Sequence, residues 1–445
     1  MEKDSGILQD VAVLVLTAQK GVTRMRGKKL GRLLGVLLAV ALAVGVTGLG
    51  VSAGAAPAGK TPPNVPGFNG STIKLGVITP ESGLASVVGK PLTEGNRVYW
   101  DAKNAKGGVA GKYKVDLDVE DSQYQVETAL QAYDKIKGDV VAFNQILGTQ
   151  IVKTILPRLK QEQQTGAPAS LEGLWVKEKN LVPIGAPYQV EVANGVDYYL
   201  KNGGKGKKIC AMAQDDEYGA AGLDGLTQAS KTLKFKVAKT VRFATTSDVS
   251  AQVGELADSK CDAVVLVSLP NDTASIVTKM IGRNFTPQII GTGPTWLSGF
   301  ENDANNGEFY RDHFLLVTEG PAWGDEAVTG MKEMIQNQQQ YAPDQKPDQY
   351  FAFGYAQSWA VDQVLEQAVK NGDLSKAGIQ KAVNQVGTLK FGGLIGDIKY
   401  GSSTSSRSPA RANTINKIVA GQPIGLSIVA ANYNSQAAKK IQFKG

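Results

Sequence analysis

From residue 72 onward, short runs of apolar residues alternate with longer stretches in which apolar side chains recur every three or four positions. The first pattern predicts strands, the second helices with one buried face. Residues 72–79 (TIKLGVIT) read as a strand, with a helix over 89–104 behind it. Residues 112–120 set Tyr113, Val115, Leu117 and Val119 on one face of a half-covered strand. Helix 126–137 carries a stripe of Ala129, Ala132, Tyr133 and Ile136, and strand 139–143 follows. A helix over 150–163 presents Ile151, Ile155 and Leu159, with Pro157 as a blemish. Weak strands at 165–169 and 181–185 complete this series.

A second series repeats the alternation: helix 191–201, strand 208–213, helix 217–233 and strand 236–242. Helix 247–257, opened by a Ser/Asp cap, strand 262–268 (DAVVLVS), helix 271–281 and strand 288–291 follow. Such alternation produces parallel sheets covered by helices on both faces. Two series predict an α/β chain with two doubly wound lobes. A third section starts near 320–323, with helices at 326–336, 353–369 and 377–386. Apolar segments at 391–398, 414–419 and 423–430 close the chain, and polar 401–407 (GSSTSSR) reads as an exposed hairpin tip.

Composition narrows the chemistry. The chain has 445 residues, enough for two or three domains with their own cores. One histidine and two cysteines are too few for a zinc or iron–sulfur centre built from those ligands, and no cofactor is expected. The formal charge of +7 is concentrated at the N-terminus, where residues 1–55 hold seven bases and three acids. The remaining 41 bases against 38 acids do not make a nucleic-acid binder. No Gly-x-Ser-x-Gly elbow and no His-Glu-x-x-His occurs, so nothing points to a hydrolase. His313 has no nucleophile at a recognisable spacing and reads as a surface residue.

The N-terminal segment has its own layout. A basic patch over 24–32 precedes 19 uncharged residues, Leu33 to Val51, and then small residues with an Ala53-x-Ala55 cleavage signature. That is the layout of a secretory signal peptide, with Met25 as an alternative start; an uncleaved anchor over 1–55 is the other reading. Either way the folded part is extracytoplasmic, and with no cysteine near the apolar run it is not a lipoprotein. Residues 54–61 match a phosphate-binding loop, but Pro62, Pro63 and Pro66 forbid the helix such a loop requires. Residues 56–70 therefore read as an extended leader.

In open α/β sheets, ligands bind beyond the carboxyl ends of the strands, at helix N-termini. That rule selects Ser82 after the first strand, and Gly148 and Thr149 at the start of helix 150–163. It also selects Ser170 and Leu171 after the fourth strand, with Trp175 close by. Thr149 can equally be a helix cap. In the second series the rule selects Tyr218, then Thr295 and Trp296. Tyr218 can close over a solute or pack on the surface, and Trp296 is either a pocket wall or a loop aromatic tucked onto its lobe.

Several motifs, in order, resemble one family. They are Leu75-Gly-Val-Ile-Thr-Pro-Glu-Ser-Gly83 with Gly95, Asn104-Ala-Lys-Gly-Gly-Val-Ala-Gly-Lys112, and Val119-Glu-Asp-Ser-Gln123. Asp215-Asp-Glu-Tyr-Gly219, Phe285-Thr-Pro-Gln-Ile-Ile-Gly291 and Phe353-Gly-Tyr355 follow. Over about residues 72–430 the chain resembles type I periplasmic binding proteins of the leucine/isoleucine/valine-binding branch, which serve ABC importers. The resemblance implies two lobes joined by three crossovers. Lobe 1 would be 71–186 and 318–386, and lobe 2 187–317 and 387–437. It implies a monomeric receptor that closes on a small solute and docks on a membrane permease, with a signalling receptor of the same fold as the alternative. The carboxylate-holding loop resembles Gly148-Thr149, the following hydroxyl pair resembles Ser170-Leu171, and the family tyrosine resembles Tyr218. The acid that accepts an amino acid's ammonium should fall within 291–296, where no acid stands. With Trp175 and Trp296 as cleft walls, the expected ligand is an amino-acid-like or aromatic or apolar carboxylate. Cys210 and Cys261, on neighbouring parallel strands, either form a disulfide or serve as two small buried hydrophobes.

Overall fold

The computed structural model of the protein describes residues 61–443; the expected signal or anchor segment over 1–55 lies outside them. Strands β1 (Thr72–Thr79), β2 (Lys114–Asp121), β3 (Ala142–Leu147) and β4 (Gly166–Ala169) form a parallel sheet in the order β2-β1-β3-β4. Every residue of β1 from Leu75 on is buried, because helices cover both faces. Ile78, Phe143 and Ile146 pack with Tyr133, Ile136 and Ile155 from the helices Val126–Ile136 and Thr149–Gln161. On the other face Leu75 and Ala142 share a core with Trp100, Phe351 and Tyr355 from the helices Ser86–Ala105 and Gln349–Asn371.

The second lobe is built on β5 (Ile209–Gln214), β6 (Val237–Phe243), β7 (Ala263–Val267), β8 (Gln288–Gly291) and β9 (Phe314–Thr318), all parallel where they pair. After a two-stranded ribbon of β10 (Thr388–Leu389) and β11 (Ile398–Lys399), β12 (Asn413–Ile418) and β13 (Leu426–Tyr433) add to its edge antiparallel. The seven-stranded order is β13-β12-β9-β8-β7-β5-β6. Cys210 on β5 and Cys261 just before β7 are joined as a disulfide. The adjacent register, Ile209 opposite Ala263, brings them together.

Four readings need correction. Residues 181–185 are not a strand: Leu181 makes one bridge to Gly166, and Pro183 removes a backbone donor. Strand β9 was not foreseen, since the four apolar residues Phe314 to Val317 behind the polar helix Gly307–His313 show no period. Residues 387–400, expected in lobe 2, pack in the first core through Leu389, Phe391, Leu394, Ile398 and Tyr400. The Tyr400 hydroxyl donates to the Pro183 carbonyl at 2.6 Å and fixes that placement. Residues 401–407 also differ from a fully exposed tip, because Arg407 turns inward to donate to the Glu178 and Leu181 carbonyls.

One helix crossing positions the site. A Cβ on Gly95 would lie 2.1 Å from the Phe351 carbonyl oxygen, and one on Gly354 only 1.9 Å from that of Leu92. The helices Ser86–Ala105 and Gln349–Asn371 therefore touch backbone to backbone, and Asn96 donates to the Gly354 carbonyl at 2.8 Å. Among the described residues no helix is long and apolar enough to cross a membrane.

Candidate ligand-binding cleft

The strand ends of the two sheets face one another, and the lobes are in contact there. Leu147 at the end of β3 meets Leu269 after β7 in a cluster with Val88, Leu92 and Tyr350. Polar contacts cross the same seam. Asn271 donates to the Leu84 carbonyl at 2.8 Å, and Lys153 pairs with Glu217 at 2.9 Å. The start of the Gln349–Asn371 helix forms the closest tie. The Asp348 carboxylate accepts from the Tyr350 and Phe351 amides and so caps the helix. Burial raises Asp348 to about 6, and the two amides oppose that shift. The cap aims Gln349 at the Gly293 carbonyl (2.9 Å) and the Tyr350 hydroxyl at the Trp296 carbonyl (2.7 Å).

Between the lobes lies an open cavity of about 150 Å³. Val88, Leu92, Trp323, Met331, Phe353, Leu394 and Ile395 form an apolar part of its wall, so it runs from the strand ends into lobe 1. Among the described residues no lysine, arginine or histidine lines it. Its polar groups include Ser170, Tyr188, Gln349 and Tyr350, together with two carboxyl groups, Glu191 and Glu319. Glu191, on the helix Tyr188–Tyr199, is 1% exposed and accepts from the Gly293 amide at 3.3 Å. Burial, then the charge of Glu319, pushes it well above the ordinary carboxylate range. Glu319 follows β9 and accepts from the Ala186 amide through Oε1, while its Oε2 has no partner and no solvent. Burial raises Glu319 to about 8.

Of the residues selected from sequence, Ser170 and Leu171 line this cavity. Trp175 does not; it lies in the lobe 1 core and donates from its indole to Ser170 Oγ at 2.9 Å, supporting that hydroxyl from behind. Gly148 precedes the Thr149–Gln161 helix with φ of 108°, and Thr149 makes no side-chain cap. Thr149 is buried and does not line the cavity, whereas Tyr188 does, its backbone amide donating to the Leu171 carbonyl at 2.8 Å. Tyr218 is buried one layer further back, its ring 4.6 Å from that of Tyr188 and its hydroxyl 2.6 Å from Thr292 Oγ1. Ser82 is exposed and donates to Asp121 at 2.6 Å, closing a turn outside the cavity. Thr295 is fully buried and donates to the Thr292 carbonyl. Trp296 is fully buried against Phe300, Tyr310 and Phe314, so the expectation of two indoles walling the cleft is corrected. Its contribution to the cleft is its carbonyl, which receives Tyr350.

The two glutamates were missed. Glu191 stands inside an apolar stretch (YQVEVANGV), where a charge without a partner is itself a signal. Glu319 could not be placed while the strand before it went unread.

No curated protein sequence matches the chain. Among solved structures, a fatty acid ABC transporter substrate-binding protein from Thermomonospora curvata is 24% identical over 86% of this chain and 97% of its own, with a TM-score of 0.80. A branched-chain amino acid ABC transporter protein from Thermus thermophilus with bound valine is 15% identical over 84% and 99%, with a TM-score of 0.71. A leucine-binding protein from Thermotoga maritima is 18% identical over 81% and 98%, at 0.68. The family model for periplasmic binding proteins matches residues 72–415. With that match over most of its length, the chain belongs to the periplasmic binding protein family, extracytoplasmic proteins that bind solutes and are not enzymes.

Proposed function

We propose that this protein is the solute receptor of an ABC importer and that it captures a carboxylate with an elongated apolar body by closing its lobes. The observation that carries this reading is the cavity itself, which is apolar, continuous across the seam and extended into lobe 1. The structure in hand has the lobes in contact, the arrangement a permease would receive. The protein acts as a monomer, and residues 1–55 direct it across the membrane. The fatty acid specificity named for the Thermomonospora curvata structure is consistent with the ligand class.

Thermal stability against straight-chain monocarboxylates of increasing length tests the proposal. Each buried methylene contributes about 0.8 kcal/mol, so affinity should rise roughly three- to fourfold per added carbon until the cavity is full. A ligand at about 100 times its dissociation constant adds roughly 2.7 kcal/mol of stability. The proposal fails if leucine binds saturably while no carboxylate of about six carbons or more shifts the transition. An apolar amino acid is the second reading. It is favoured by Glu191, whose carboxyl stands beside Gly293, on the loop where the resemblance expects an acid.

A further inference from the structure

We infer that Glu191 and Glu319 are the groups that select the ligand's head: as a pair of neutral carboxyls at the hinge, they donate O–H hydrogen bonds to its carboxylate. The inference rests on the receptor reading above and names the recognition chemistry of the same cavity.

The two residues come from different segments. Glu191 belongs to the first helix after the chain enters lobe 2, and Glu319 stands where it leaves again after β9. Both line the cavity, and no positive charge acts on either. Two ionised carboxylates out of water and within each other's field are costly, and taking up protons removes that cost. Glu319 is held neutral by burial up to about pH 8, and Glu191 is pushed in the same direction. The other titratable groups facing Glu191 are Tyr188 on its own helix and Tyr218 on the Glu217–Leu233 helix, with Tyr350 beyond them. All three phenols are pushed upward and stay neutral, so none supplies a countercharge.

A neutral carboxyl carries one donor. Backbone amides already occupy one oxygen of each glutamate, leaving Glu319 Oε2 out of solvent with nothing to bond. An unmet donor there asks for an acceptor, and the Ser170 hydroxyl on the same wall adds a second donor. A carboxylate satisfies both without ionising the pair, the proton remaining on the glutamate. An ammonium would do the reverse, bringing one positive charge to two buried carboxylates that must first lose their protons. The helix start at Gly148-Thr149, which a zwitterion's carboxylate would use, is not part of the cavity wall.

The test compares decanoate, decylamine and decan-1-ol by isothermal titration between pH 6 and 9, with the wild type, E319Q and E319A. Decanoate should bind more tightly than decylamine at pH 7 and weaken about tenfold by pH 9, as a group with a pKa of about 8 loses its proton. E319Q, whose amide still donates, should weaken binding about threefold at pH 7 and abolish the fall toward pH 9. E319A should weaken it at least about tenfold. Circular dichroism establishes that each variant is folded. A flat decanoate profile in the wild type overturns the inference and leaves the receptor reading standing. Decylamine binding more tightly, and more so as pH rises, overturns it in favour of an ionised pair. If none of the three binds, both the inference and the proposed ligand class fail.

Discussion

The start of the Gln349–Asn371 helix should act as a closure latch, and removing two side chains tests that without touching either core. Tyr350 Oη donates to the Trp296 carbonyl at 2.7 Å, and Gln349 Nε2 donates to the Gly293 carbonyl at 2.9 Å and the Trp296 carbonyl at 3.2 Å. All three bonds join lobe 1 to lobe 2, so they exist only when the lobes meet. In Y350F the Trp296 carbonyl keeps Gln349 as a donor, so the loss is that of one ordinary hydrogen bond, about 1 kcal/mol or roughly fivefold in affinity. In Q349A/Y350F the Trp296 carbonyl loses both its donors on closure, and the Gly293 carbonyl keeps only the Trp296 amide at 3.3 Å. The closed state then loses about 2–3 kcal/mol, or roughly 30- to 150-fold. Titration calorimetry with decanoate measures the affinity, and stopped-flow should place most of the change in dissociation. Melting of the unliganded variants shows whether the fold is intact. A folded double variant with wild-type affinity would refute the latch, because closure could not then depend on these bonds.

Three further outcomes follow from the geometry. G354A should destabilise by about 1–3 kcal/mol or more in urea unfolding, because its Cβ forces apart helices in backbone contact; G138A, with open space around it, should be near neutral. Breaking the Cys210–Cys261 disulfide in a C210S/C261S variant should lower stability by about 2–4 kcal/mol, since it frees a loop of sequence separation 51. Glu319, raised from 4.5 to about 8 in the folded state, contributes stability that is fully present below about pH 4.5 and is lost as pH rises through 8. E319Q should therefore narrow the difference in unfolding free energy between pH 5 and 8 by on the order of 3 kcal/mol, and an unchanged pH profile would contradict the burial of that carboxyl.

Much of the scaffold was readable because its strands are parallel and covered on both faces. LGVI within TIKLGVIT and AVVLV within DAVVLVS are continuous apolar runs, a composition suited to a strand covered on both faces. The strand-end rule selected Ser170 and Leu171, which lie in the cavity wall. It failed at Trp296 and Thr295, which follow β8 as the rule requires but turn into the lobe rather than toward the seam. Sequence position locates a loop; it does not say which way a side chain leaves it. Ser82 failed for a local reason, since Asp121 at the end of the neighbouring strand takes its hydroxyl.

By itself the sequence determined the alternation of elements, the two-lobe class, the absence of enzyme motifs and the region where a ligand must lie. These depend on short-range periodicity and on chemistry that a residue carries wherever it is placed. Only the tertiary structure decided the character of the cleft. Glu191 and Glu319, 128 positions apart in sequence, line one cavity, and its apolar wall is assembled from helices whose approach depends on Gly95 and Gly354. A carboxyl's charge state is set by the water and countercharges around it, which are properties of the assembled fold and of no local stretch of chain.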